Sequence, residues 1–130
     1  MKHDLTLTIT SLLSMLLFLF HWADDIVRGM APGTVSALFG VLILVVWLYG
    51  TLVLGDRRSG HIIMLLGAMA GLGALILHMR GVGMVGGRIA SSSGIFFWVW
   101  TLVTLGSVSA FSIILAVRGL WRLRRGQSDL

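Results

Sequence analysis

The chain has 130 residues, 57% hydrophobic and 12% charged, with a formal charge of +5 and a mean hydropathy of +0.98. Soluble domains carry about 25% charged residues, so an ordinary water-soluble globule is excluded, and the length holds about four membrane spans of ~20 residues and little else. The absence of cysteine removes disulfides, thiolate metal sites and iron–sulfur clusters.

A polar start with Lys2, His3 and Asp4 precedes the first predicted span, residues 5–27. A basic start before an apolar run also suits a secretory signal. The run is longer than a usual signal core, however, and bulky His21 stands where cleavage needs a small side chain, so a transmembrane helix is predicted. Ser11, Ser14, Phe18, His21 and Asp25 recur at alternating three- and four-residue steps, which predicts a stripe facing protein rather than lipid. The helix ends in His21, Asp24, Asp25 and Arg28, at i, i+3, i+4 and i+7, a spacing expected to point all four the same way.

Gly29 to Gly33, with Pro32, predicts a turn, and residues 34–54 a second span whose apolar side chains mark no inward face. Asp56 to Gly60 is short enough to force an antiparallel hairpin with a third span at 61–79. In that span Gly67 and Gly71 form a small-xxx-small pair, continued by Ala74 and His78, along which another backbone is expected to approach closely. Residues 80–93 are rich in Gly and Ser and predict the most mobile connection. The fourth span, 94–118, opens with Phe96, Phe97, Trp98 and Trp100 and is followed by Arg118, Arg122, Arg124 and Arg125. The predicted fold is an all-α integral membrane protein, a single four-helix transmembrane bundle of two antiparallel hairpins.

The basic residues orient it. Lys2, Arg57, Arg58 and the four C-terminal arginines share one side; Arg28, Arg80 and Arg88 lie on the other. Both termini are therefore expected to be cytoplasmic, in a bacterial cytoplasmic membrane. Aromatic belts at Trp22 and Phe96 to Trp100 outside, and at Trp47, Tyr49 and Trp121 inside, fit that placement. Arg118 to Arg125, interleaved with Leu120, Trp121 and Leu123, suits anionic lipid rather than nucleic acid.

This topology brings His21, Asp24 and Asp25 to the same depth as His78, with Arg28 and Arg80 nearby. Two imidazoles and a carboxylate pair are N/O donors suited to a divalent transition-metal ion, and metal or small-ligand binding is the predicted function. Two alternatives use the same histidines: bis-imidazole ligation of haem b between spans one and three, with Gly67, Gly71 and Ala74 giving it room, and quinone binding. A third makes the chain an accessory subunit, assembling as a homo- or hetero-oligomer through Gly67 and Gly71. A Ser-His-Asp hydrolase would draw on Ser91 to Ser93, the only serines expected at that depth; no catalytic residue is assigned. His3 and His61 read as boundary residues. No family pattern is recognisable in these residues.

Overall fold

The computed structural model describes residues 4–30, 34–80 and 87–128. Lys2, His3, Pro32, Gly33 and the glycines at 81, 83 and 86 lie outside them. Among the described residues every regular element is a helix: α1 (Leu5–Val27), α2 (Thr34–Leu52), α3 (Arg58–Met79), a one-turn α4 (Gly87–Ala90) and α5 (Ile95–Ser128). Three of these, α1, α3 and α5, are long and apolar enough to cross a membrane, and α2 is a shorter apolar helix.

Local chemistry sets the ends of α1. Asp4 caps it, Oδ1 accepting the Leu7 N–H at 3.1 Å. At the other end Gly29 adopts φ +68°, its N–H reaches the Ile26 carbonyl at 3.0 Å, and the Met30 N–H reaches the Asp25 carbonyl at 2.8 Å. That paired arrangement is a Schellman stop, which needs a residue able to take positive φ just past the helix. The last turn, with Asp24 and Asp25, is therefore helical to its end.

The bundle is assembled around α5, which packs along both α3 and α1, while α2 leans mainly on α3. One end is closed by Leu7, Met64 and Ala116, from α1, α3 and α5. His61 is buried there against Gly119, with Nδ1 3.1 Å from the Arg57 carbonyl, so it is a packed interior residue rather than the boundary histidine expected from its position. In the middle, Trp47 donates its indole N–H to Ser11 Oγ at 2.9 Å, Ser11 pairs with Thr51 at 2.9 Å, and Thr51 returns a hydrogen bond to the Trp47 carbonyl.

Gly67 lies directly beneath the Trp47 ring, and Gly71 beneath Ser109 and Leu105. The close approach read from this pair is thus used inside the chain. On this face α2 approaches Gly67 and α5 approaches Gly71, and Gly67 also lines an apolar cavity of about 430 Å³ between α2 and α3.

Ser11, Ser14, Thr51, Thr101, Ser109 and Ser112 are all buried, whereas large apolar side chains on every long helix point outward. This reverses the distribution in a soluble globule and is what a bundle solvated by lipid requires. The Ser11, Ser14, His21 stripe of α1 faces inward as the periodicity predicts. Three boundaries differ from the sequence reading. The α2–α3 connection spans 53–57 rather than 55–60; α5 continues past 118 to Ser128; and part of the Gly/Ser connection is built into the fold, with Ile89 buried against Trp98 and Leu102. A 34-residue helix is about 51 Å long, well beyond a hydrocarbon core of about 30 Å, so its arginine-bearing end projects past the bundle.

Candidate metal centre

At the end of the bundle opposite His61, the C-terminal turns of α1 and α3 run side by side in the same direction. His21 and His78, 57 positions apart, meet there with their Nε2 atoms 3.1 Å from each other and their rings edge-to-face at 89°. Asp25 is one turn beyond His21, and its Oδ2 lies 3.4 Å from both Nε2 atoms. Three donor atoms, one each from His21, Asp25 and His78, thus form a compact triangle that could hold a metal ion.

The first turn of α5 supplies the support. Gly94, at φ +75°, lets the chain enter the helix, and its carbonyl accepts the Trp98 N–H at 3.1 Å. Trp98 is 1% exposed, and its indole N–H donates to Asp25 Oδ1 at 3.0 Å. The indole also packs on both imidazoles, with centroids 5.5 Å from His21 and 5.2 Å from His78. Sequence reasoning placed this tryptophan in a lipid-facing belt with Phe96, Phe97 and Trp100. Those three are exposed, but Trp98 heads the inward stripe of Trp98, Thr101, Leu105, Ser109 and Ser112, and that periodicity was the available signal.

Asp24 is not brought to the triangle. Its Oδ2 accepts from Arg28 Nε at 2.8 Å, and Arg28 also donates to Ser92 Oγ at 2.6 Å and to the Ser93 carbonyl at 3.0 Å. Asp24 and Arg28 therefore strap the connection ahead of α5 onto the end of α1. Ser92 is engaged in this strap and in a bond to the Ile89 carbonyl at 2.8 Å, away from any histidine. Arg80 ends α3 with an exposed side chain.

Three lone-pair-bearing atoms this close favour a shared positive charge, a proton or a cation, between them. An imidazole Nε2 is either an N–H donor or a bare acceptor, and an ionised carboxylate oxygen only accepts. If both rings carry the proton on Nε2, both contacts to Asp25 are satisfied, but two N–H groups face each other at 3.1 Å. If either is bare, it faces the carboxylate or the other ring's lone pair. With Asp25 as a carboxylate, each of these assignments leaves at least one like-with-like contact among the three.

A cation at the centre removes that conflict, because all three atoms can then present lone pairs to it. His21 Nδ1 is buried with no partner among the described residues, so its ring is held by packing rather than by a second carboxylate. The triangle is more open on the His78 side, where the side chain is 22% exposed against 4% for His21.

Haem does not fit. Trans imidazoles on one iron stand about 4 Å apart with a macrocycle between them; here the Nε2 atoms are closer, and Asp25 and Trp98 occupy the space around them. Comparison of the chain with models of known families, with curated proteins and with solved structures finds no match.

Proposed function

We propose that this chain is a multi-pass membrane protein that binds one divalent transition-metal ion at the outer end of its bundle, through His21 Nε2, His78 Nε2 and one oxygen of Asp25. The observation that carries the reading is the convergence of these three donor atoms within 3.1–3.4 Å at a largely buried end of the bundle. Mixed imidazole and carboxylate donors suit zinc, iron, manganese or copper(II) better than calcium or magnesium, which take oxygen.

The reversed polarity of the molecule supports insertion in lipid. The gathering of Arg57, Arg58, Arg118 and Arg122 near the opposite end of the bundle supports an orientation with the metal end facing away from the cytoplasm. Helices α1, α2, α3 and α5 then cross or enter the bilayer, and both termini are cytoplasmic.

The test is metal binding by purified protein in detergent, stripped with a chelator, desalted and titrated with zinc. The expected result is a single ion per chain, with His21→Ala and His78→Ala each weakening it by more than about 100-fold, beyond what loss of an outer-sphere partner causes. Wild-type protein that takes up no more zinc than either variant overturns the reading.

A further inference from the structure

Asp25 offers two oxygens, and the structure treats them differently: Oδ1 is occupied by the Trp98 indole N–H at 3.0 Å, while Oδ2 faces both imidazoles at 3.4 Å. We infer that Trp98 is a positioning residue that restricts Asp25 to monodentate ligation and so makes the centre selective for a tetrahedral, zinc-class ion with one exchangeable position. This inference rests on the metal-binding reading of the same site.

Donor spacing is compatible with the same class. Bonds of about 2.0–2.1 Å at the tetrahedral angle place ligand atoms about 3.3–3.4 Å apart. Octahedral neighbours at the same bond length are only about 2.9 Å apart. The donor separations here are 3.1, 3.4 and 3.4 Å, so two of the three edges are tetrahedral in length.

Three protein donors occupy three vertices. The fourth is left for water or another small donor, as in zinc centres that keep an open position. Larger ions favour higher coordination numbers, and a carboxylate meets that demand by chelating through both oxygens; the indole bond opposes this. Trp98 also packs against both rings, tilted at 56° to His21 and edge-to-face at 86° to His78, so the group that fixes the carboxylate also contacts the imidazoles.

The experiment compares wild type with Trp98→Phe, which keeps an aromatic ring without the donor, and Trp98→Gln, which keeps an N–H donor at similar reach. Zinc and manganese affinities are measured by competition, and the cobalt(II) forms by visible absorption. Wild type is expected to prefer zinc and to give the intense visible bands of four-coordinate cobalt. Trp98→Phe is expected to lose 10–100-fold in zinc affinity, as when other outer-sphere partners are removed. Its manganese affinity should stay within about threefold, and Trp98→Gln should recover most of the zinc preference.

Equal losses for both metals in Trp98→Phe would mean that the indole only packs, and no loss for either would mean that it does nothing for the ion. Weak six-coordinate cobalt bands in wild type would refute the tetrahedral assignment. Each of these defeats the inference while leaving metal binding intact. A wild type that binds no ion defeats the underlying reading instead.

Discussion

Two adjacent aspartates at the end of α1 give the sharpest mutational contrast. His21 and Asp25 are separated by four residues, or about 40° around the helix, and His21 and Asp24 by three, or about 60° in the opposite sense. The two carboxylates therefore leave the helix about 100° apart. One joins the imidazoles and the other joins Arg28.

Asp25→Ala removes a donor oxygen and leaves the buried Trp98 N–H unpaired. It is expected to weaken zinc by at least about 100-fold, which is about 2.8 kcal/mol of binding. The orphaned donor adds a stability loss of about 1–3 kcal/mol in the metal-free protein. Asp24→Ala removes one ion pair whose side chains are 14% and 17% exposed, while Arg28 keeps its bonds to Ser92 and Ser93. Its expected cost is about 1–3 kcal/mol of stability, because a largely buried guanidinium loses its counter-ion, with zinc affinity unchanged within about threefold.

Competition titration with a chromophoric chelator measures the affinities, and thermal unfolding in the same detergent measures the stabilities. Equal zinc losses in the two variants would refute the reasoning, because the structure gives Asp24 no contact with the triangle.

Further consequences concern the bundle and its orientation. Gly71→Val drives a side chain into Ser109 and Leu105 and is expected to destabilise by about 1–3 kcal/mol, whereas Gly73→Ala meets nothing within 4 Å and should be neutral or stabilising by up to about 1 kcal/mol; thermal unfolding compares them. Ser11→Ala leaves the Trp47 indole N–H without its acceptor, and the expected loss is about 0.6–2 kcal/mol, visible both in melting temperature and in tryptophan fluorescence. Because the native chain has no cysteine, single replacements report sidedness directly. Arg80→Cys should react with an impermeant thiol reagent in intact cells and Asp56→Cys only after lysis; the reverse pattern would invert the proposed orientation.

Much of this was legible in the sequence because lipid imposes simple rules. Long uncharged runs give helices, hydroxyls and histidine at three- and four-residue steps give the inward face of α1, and alternating spans carry His21 and His78 to one end. What was not legible depends on neighbours. In a lipid environment an aromatic residue near a span end reads as an interfacial anchor, and only the packing of α5 against α1 and α3 shows that Trp98 belongs to the interior. Trp47 is the same case, buried over Gly67 although its position suggested a belt.

The Gly67–Gly71 pair announced close approach without saying to what; within the chain, Trp47 of α2 and Ser109 of α5 make that approach. Asp24 and Asp25 were inseparable by spacing, since i+3 and i+4 both lie near residue i; the side on which Arg28 waits decides between them.

The proposed centre requires one ion held by imidazoles from two different helices. X-ray absorption at the zinc edge of the loaded wild-type protein reads this directly, since rigid imidazole rings give a characteristic outer-shell scattering pattern. The account predicts a four-coordinate shell of nitrogen and oxygen at about 2.0 Å with two imidazoles per zinc. A six-coordinate oxygen shell, or a shell with fewer than two rings, would contradict it.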